Sequence, residues 1–176
     1  MTAPLFRNRF RVPSARLQGW DYRWPAVYAV TICVKDRIRC LGEVVEDDVA
    51  LSPSGVIVAG EWLAIPGAHP QVSLDEWIVM PDHLHGILFF QGEDRPVPRD
   101  GLPAGSLGVV VGQFKKRVTK RILTRRQPSL SWQDRYFDQI LRDDEDLERC
   151  RAYIRENPRR WFLRQFTEAA GLAEPP

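Results

Sequence analysis

The amino-acid sequence predicts an α+β protein built on a ferredoxin-like antiparallel sheet. Segments typical of strands and helices follow one another in the order βαββαβ, and one more helix follows at the C-terminal end. This order favours an antiparallel sheet with the helices on one face and with the C-terminal helix added to it. The chain has 176 residues, of which 44% are apolar, and we expect it to form a single domain.

The first half of the chain begins with a basic arm, residues 1–24, and continues with a buried strand. Residues 26–34, AVYAVTICV, are rich in the β-branched and aromatic side chains that strands prefer. A small hairpin is predicted over residues 41–51, with its turn at 46–48. Ser52 is a good N-cap and Pro53 a good first helical residue, so a helix starts here and is predicted to end before Pro66-Gly67.

The middle of the chain supplies two further strands and a loop. Residues 72–80 and 83–90 are strand-like and are joined tightly through Pro81 and Asp82, so we expect them to pair antiparallel. Residues 91–105 are polar and contain several prolines and glycines, which predicts a flexible loop between the two halves of the domain.

The last part of the chain contains a basic helix, a strand and the C-terminal helix. Residues 107–123 carry apolar side chains at helical spacing, with lysines and arginines largely on the other side. Residues 132–141 are predicted to form the fourth strand. An acidic first turn at residues 143–146 begins a helix that is predicted to stop at Asn157, because Pro158 cannot donate the next helical hydrogen bond.

Positive charge is concentrated in two stretches of the sequence. Residues 1–40 hold eight Lys or Arg and two acids, and residues 112–126 hold seven Lys or Arg and no acid. A polyanion fits such stretches, since each neutralised phosphate releases counterions, although solvated faces explain charge clusters equally well. The candidate DNA contacts are Arg9, Arg11, Lys115, Lys116, Lys120 and Arg121.

Hydropathy and cysteine content indicate the cellular environment. No segment approaches the roughly 18 apolar residues that a membrane-spanning helix needs, and the N-terminal end does not resemble a signal peptide. We therefore expect a cytoplasmic protein with no membrane partner. Cys33, Cys40 and Cys150 form no Cys-x-x-Cys pair, so we expect reduced, mostly buried thiols rather than a disulfide framework or a zinc site.

Two of the three histidines, His83 and His85, stand two residues apart in a predicted strand. Residues at i and i+2 of a strand share a face, so both imidazoles can reach one cation or one phosphate. Two ligands alone rarely hold a divalent ion, so a metal site needs a third. Two ordinary hydrogen-bonded histidines at a strand edge are the alternative.

Tyr153 and Asn157, at i and i+4, flank the apolar stripe of the last helix. If this helix packs over the sheet beside the histidines, a phenol and an amide oxygen come close to the two imidazoles. A phenolate can attack phosphorus while a metal polarises a non-bridging oxygen, but an unassisted phenol is scarcely ionised at neutral pH. The alternative is an aromatic residue at the core edge with its hydroxyl in water.

Three segments together resemble the IS200-like single-tyrosine His-x-His transposases, and in particular their relatives associated with repetitive extragenic palindromes (REP). The segments are RLQGWDYRWPAVYAVTICVKDR, EWIVMPDHLHGILFF and SWQDRYFDQILRDDEDLERCRAYIRENPRRW. The resemblance spans residues 16–161. Its order is specific: an apolar strand, Met-Pro-Asp-His-x-His-Gly, a basic helix, Trp-Gln, and a final Tyr-Ile-x-x-Asn-Pro.

The resemblance implies an active site and a reaction. His83 and His85 would bind Mg²⁺ or Mn²⁺, and Tyr153 would be the nucleophile. The insertion-sequence branch has a glutamine as third ligand four residues after the tyrosine, and here Asn157, with a shorter side chain, takes that place. The implied enzyme is a DNA transposase that cleaves and rejoins single-stranded or hairpin DNA through a 5′-phosphotyrosine, working as a monomer or a homodimer.

Other interpretations stay open at this stage. Tyr136 is a rival nucleophile, but it lies on a predicted strand with no ligand-like residue at i+4, so Tyr153 is preferred. A DNA-binding protein that has lost the cutting activity is a second class of function. A metal-dependent phosphodiesterase, in which His83 and His85 activate water and no tyrosine adduct forms, is a third.

Overall fold

A computed structural model describes residues 25–91, 105–128 and 130–169, with side chains up to residue 165, and the backbone of residues 5–6 and 9–10. Strands β1 (Leu5–Phe6) and β2 (Arg9–Phe10) pair antiparallel with each other. The rest of the predicted arm at residues 1–24 lies outside the described residues. The same holds for all but the two end residues of the predicted loop at 91–105.

Four antiparallel strands form the central sheet. β3 (Ala26–Cys33) and β7 (His83–Phe90) lie at its centre, and β6 (Val72–Met80) and β8 (Phe137–Leu141) lie at its edges. The order across the sheet is β6-β7-β3-β8. Strands β3 and β6 are not neighbours, nor are β7 and β8, and each of these two connections contains a helix. The predicted α+β class and the antiparallel βαββαβ core are confirmed.

A small hairpin and two helical segments connect β3 to β6. The hairpin pairs β4 (Gly42–Val45) with β5 (Asp48–Leu51), so it is present where it was predicted. Helix α1 (Pro53–Leu63) begins at Ser52, whose hydroxyl accepts a hydrogen bond from the Gly55 N–H at 3.1 Å. A short helix α2 (Ile65–Ala68) follows, and thus helical structure continues through Pro66-Gly67, where it was predicted to have ended.

One face of the sheet is covered by α1 and α3 (Leu107–Thr124). Their buried side chains join those of β3 and β7 in the main hydrophobic core, where Trp62 meets Phe114 edge to face at a centroid distance of 5.5 Å. Gly86 of β7 lets Trp62 lie directly on the strand, since a Cβ at Gly86 would stand 2.2 Å from Trp62 Cζ2. Glu61 of α1 is buried and pairs with Arg121 of α3 at 2.8 Å.

The opposite face is covered by the C-terminal helix α4 (Asp144–Ala169). Ile154 packs there in a second, smaller core with Ile87 and Leu141. Two ion pairs bind α4 to edge strand β6: Arg151 Nε donates to both Asp75 oxygens at 3.1 Å, and Arg155 Nη1 donates to Glu76 at 2.9 Å. The sheet therefore lies between α1 and α3 on one side and α4 on the other.

Helix α4 does not stop at Asn157, and this prediction was wrong. The helix runs through the buried Pro158 to Ala169, the last residue that the structure describes. Proline removes one backbone donor and crowds the preceding turn, but Trp161 in the next turn packs against Arg39, whose guanidinium carbon lies 5.1 Å from the ring centroid. Tertiary packing commonly overrides local helix propensity, and here both Pro158 and the following turn pack against the rest of the chain.

The fourth strand is shorter than predicted. β8 begins at Phe137, and Trp132 forms only an isolated bridge with Val34. Thr31 pairs with Phe137, and Val34 forms the bridge with Trp132. Val34 lies three residues after Thr31, whereas Trp132 lies five residues before Phe137. The longer segment therefore bulges out between the two pairs.

No described helix is long and apolar enough to cross a membrane. The three cysteines are free and only partly buried.

Candidate active site

The register of the sheet places His83 and His85 side by side on the face that α4 covers. In the β3–β7 pairing, His83 lies opposite Cys33 and His85 lies opposite Thr31. Ile87 and Phe89 are the next residues of β7 on the same face, and they belong to the core under α4. The two imidazole centroids are 4.5 Å apart, with the planes at 84°. The shared face expected from the i, i+2 spacing is present.

Helix α4 brings an aromatic ring to each histidine. The Tyr153 ring lies 5.4 Å from the His85 ring, and the Trp161 ring lies 6.0 Å from the His83 ring. Asn157 stands midway between these two along the helix, at i+4 from Tyr153, and is buried. Residues at i, i+4 and i+8 form one strip of a helix, so Tyr153, Asn157 and Trp161 all face the histidine strand.

Hydrogen bonds hold both imidazoles by the same nitrogen. His83 Nδ1 contacts Asp82 Oδ1, and His85 Nδ1 is hydrogen-bonded to Thr31 Oγ1 at 2.8 Å. A carboxylate can only accept, so the Asp82 contact places the proton of neutral His83 on Nδ1. Each ring thereby keeps Nε2 for another partner, as metal-binding histidines do when a second residue holds the other nitrogen.

His85 is neutral under ordinary conditions. Burial lowers the pKa of His85 to about 3, and the nearby His83 and Arg37 act in the same direction, against a smaller opposite effect of Asp82. A neutral imidazole retains a lone pair, which is the form that binds metals.

The kinds of donor group at this site, two imidazoles and a side-chain amide, are ones that divalent metals accept. Among the described residues no group of three His, Cys, Asp or Glu forms a metal site, so the two imidazoles need a ligand of another kind. Asn157 is suited to supply it, because its Nδ2 is buried and has no hydrogen-bond partner. Half a turn of the amide brings its oxygen to the same place, and an amide oxygen with two imidazoles suits Mn²⁺ or Mg²⁺.

Tyr153 stands at the open side of this group. The residue is 44% exposed, and the guanidinium carbon of Arg160 lies 5.4 Å from its ring centroid. A groove of about 480 Å³ runs beside it, lined among others by Thr31, His85 and Phe137. A substrate that enters this groove reaches Tyr153 and His85 together, since both residues line it.

Tyr136, the rival nucleophile, lies elsewhere. It packs against the main core on the α1 and α3 side, where Lys115 Nζ lies 5.9 Å from its ring centroid. The sheet therefore separates Tyr136 from the two histidines.

The candidate DNA contacts are placed unevenly. Lys116 and Lys120 are exposed on α3, whereas Lys115 is half-buried and donates to the Gln133 carbonyl at 2.7 Å. Arg121 pairs with Glu61. Arg11 and the side chain of Arg9 lie outside the described residues, and α3 covers the face away from the histidines.

Sequence reasoning missed the residues that hold the histidines. Asp82 adjoins His83 and could have been noticed for that reason. Thr31 reaches His85 across 54 positions of sequence, and only the strand register reveals it. Trp161 was missed because the helix was predicted to end before it.

Comparison with known proteins finds a relative by sequence and, among the solved structures, a related transposase. An uncharacterized protein of Haemophilus influenzae is 31% identical over 160 residues, a match that covers 84% of this chain and 88% of that protein. The structure of a REP-associated tyrosine transposase bound to a REP hairpin matches with a TM-score of 0.57 and 16% identity, over 81% of this chain and 73% of the other. The chain matches no protein-family model. The chain belongs to the family of the Haemophilus influenzae protein, and its fold is that of the REP-associated tyrosine transposase, as its sequence segments had indicated.

Proposed function

We propose that this protein is a tyrosine transposase that cuts and rejoins DNA strands, with Tyr153 as the nucleophile. The observation that carries this proposal is the contact between Tyr153 and His85, whose centroids lie 5.4 Å apart beside an open groove. A nucleophile needs an accessible position next to groups that stabilise charge on the phosphate. Tyr153 has both, and Tyr136 lies on the other side of the sheet.

The proposed reaction exchanges one phosphoester bond for another. The Tyr153 oxygen attacks the scissile phosphorus, the bond from phosphorus to the 3′ oxygen breaks, and the phenolic proton is given up as the leaving oxygen gains one. The products are a 5′-phosphotyrosine and a free 3′-OH. When a 3′-OH attacks the phosphotyrosine, the strand is rejoined and the phenol is restored without ATP.

The chain's own residues prepare this reaction. Asp82 and Thr31 hold the imidazoles so that both Nε2 atoms are available. Arg160 lies over the Tyr153 ring, a cation–π contact that holds a guanidinium beside the nucleophile. A Mg²⁺ or Mn²⁺ ion bound by His83, His85 and Asn157 would polarise a non-bridging phosphate oxygen.

The proposed substrate is single-stranded or hairpin DNA. The related transposase structure contains a REP hairpin, and the exposed lysines of α3 supply charge for a phosphate backbone. We infer a cytoplasmic enzyme that works as a monomer or a homodimer.

The test is incubation of the purified protein with end-labelled hairpin DNA and Mn²⁺, followed by a denaturing gel. The unsubstituted chain and Tyr136→Phe are expected to form a DNA adduct of protein size. Tyr153→Phe is expected to form none, because the attacking oxygen is gone while the aromatic ring remains.

The other possible results indicate a different active site or a different function. Loss of the adduct in Tyr136→Phe alone moves the active site to the other face. Cleavage without adduct in all three proteins indicates a metal-dependent phosphodiesterase. Binding without cleavage, over several flanking sequences, indicates a DNA-binding protein that has lost the cutting activity.

A further inference from the structure

We propose that Arg37 is a positioning residue that acts on His83 through Asp82. The inference rests on the proposed function, since it concerns how a metal-binding histidine of that site is held. Arg37 is not a ligand in this scheme. It orients the carboxylate that orients the ligand.

The three side chains form a continuous row. Asp82 is only 4% exposed. One carboxylate oxygen, Oδ1, contacts His83 Nδ1, and the other, Oδ2, forms an ion pair with Arg37, whose Nε lies 3.1 Å away. A buried carboxylate is tolerated only when its charge is paired. Among the described residues Arg37 is the arginine paired with Asp82, so the partner of this charge is known.

Backbone hydrogen bonds fix the loop that carries Arg37 against the Pro81-Asp82 turn. The Val34 N–H donates to the Asp82 carbonyl and the Leu41 N–H donates to the Pro81 carbonyl, both at 2.9 Å, which fastens the two ends of this loop to the Pro81-Asp82 turn. Arg37 itself has φ of 55°, a left-handed conformation that residues other than glycine adopt at a cost of about 1 to 3 kcal/mol. Such a conformation persists where surrounding contacts require it.

The Arg37 guanidinium is also held from its other side, since Nη1 donates to Cys33 Sγ at 2.9 Å. Cys33 lies directly opposite His83 in the sheet. The guanidinium thus contacts both Cys33, on the strand next to His83, and the Asp82 carboxylate, which itself contacts the His83 ring. Its loss frees Asp82 to rotate, and the His83 proton is then no longer restricted to Nδ1.

The position of the His83 proton is the direct test. Long-range proton–nitrogen NMR of the metal-free full chain, with His83 assigned by His83→Gln, reports which ring nitrogen carries it. The unsubstituted chain should show Nδ1–H alone. Arg37→Asn, which removes the guanidinium but keeps a residue type that accepts left-handed φ, should show a mixture of the two forms. Lys35→Asn, with the same loss of charge in the same loop, should leave Nδ1–H alone.

Metal affinity supplies the second readout. Titration with Mn²⁺, followed by electron paramagnetic resonance, should show binding weakened by about 10- to 100-fold in Arg37→Asn and in Asp82→Asn, the range found for residues that support metal ligands. If Arg37 acts through Asp82, the double variant should bind no more weakly than Asp82→Asn alone. Circular dichroism of each variant confirms the fold before titration.

The outcomes separate this inference from the proposed function. Mn²⁺ binding and an Nδ1–H signal that are unchanged in Arg37→Asn overturn the positioning role and leave the transposase proposal standing. Additive losses in the double variant also overturn it. No Mn²⁺ binding by the unsubstituted chain contradicts the metal site, whereas an Nε2–H signal in that chain contradicts the positioning row alone.

Discussion

Asn157 is a buried amide whose nitrogen has no hydrogen-bond partner. An unsatisfied buried polar group costs about 1 to 3 kcal/mol, so its presence between Tyr153 and Trp161 opposes stability. Groups of this kind persist in native proteins where function uses them. A metal ligand that stays unpaired until the ion binds meets this description.

Replacement of Asn157 by leucine tests this interpretation at the residue scale. Leucine has nearly the same shape and no polar atom, so we expect the free energy of unfolding to stay the same or to rise by about 1 kcal/mol. Mn²⁺ affinity should fall at the same time. Urea unfolding and Mn²⁺ titration measure the two quantities. A marked loss of stability in Asn157→Leu, matched in Asn157→Gln, would show that the amide has a structural role instead.

At the scale of elements, the anchoring of α4 decides where Tyr153 lies. Arg151 and Arg155, two residues before and after Tyr153, are paired with Asp75 and Glu76 on edge strand β6. The strand is irregular between Leu74 and Trp77, where the register of the β6–β7 pairing shifts. This irregularity turns consecutive acidic side chains toward the helix. The two ion pairs therefore flank Tyr153 and, together with the packing of Ile154, hold this part of α4 on the sheet.

The Asp75–Arg151 pair should make stability depend on pH. Burial acts to raise the pKa of Asp75, but hydrogen bonds from Arg151 and the Glu76 N–H, with the charges of Arg151 and Arg155, outweigh it and leave the pKa below its ordinary value. A carboxylate of lowered pKa contributes stability above its unfolded pKa of about 3.9, and loses this contribution as pH falls through the folded pKa.

We therefore expect Arg151→Gln to have a lower Tm than the unsubstituted chain at pH 7, by a few degrees. The difference should narrow below about pH 4, as Asp75 becomes protonated in both proteins. Thermal melts from pH 7 to pH 3 measure it. Arg160→Gln removes an exposed pair with Glu156 and should change Tm less. A difference that stays constant with pH would exclude the Asp75 carboxylate as the cause.

At the scale of the whole molecule, the sheet separates the reactive groups from the basic helix. Tyr153 and the histidines lie under α4, whereas Lys116 and Lys120 are exposed on α3, which covers the other face. A DNA molecule that contacts both must pass around an edge of the sheet. Lys115 occupies a different position, because its ammonium donates to the Gln133 and Arg135 carbonyls.

Alanine substitution separates the two kinds of lysine. Lys116→Ala and Lys120→Ala should each weaken hairpin binding for all sequences alike. Each should also make the slope of log K against the logarithm of salt concentration shallower by about 1. Adduct formation at saturating DNA should persist. Lys115→Ala, from the same helix, should instead lower Tm and leave the salt dependence unchanged. Equal salt dependence in all four proteins would place the DNA away from α3.

The sequence by itself determined the order of the elements and the pairing of two histidines on one face. Both are consequences of local periodicity, since side chains alternate every second residue in a strand and return about every 3.6 residues in a helix. The tertiary structure decided which residues surround the histidines. Asp82 reaches His83 from the adjacent position, but Arg37, Thr31 and Tyr153 reach the pair only through strand register and helix packing.

The same distinction explains the two elements whose bounds were wrong. Pro158 is a local stop signal, but α4 continues through it, with the proline buried and Trp161 packed against Arg39. The early start predicted for β8 followed from local composition, whereas the actual start depends on a bulge against β3. Local signals act through neighbouring residues, and long-range contacts form only when the whole sheet and α4 pack together. For this reason only the tertiary structure decided that α4 continues beyond Pro158 and that Tyr153, rather than Tyr136, stands beside the histidines.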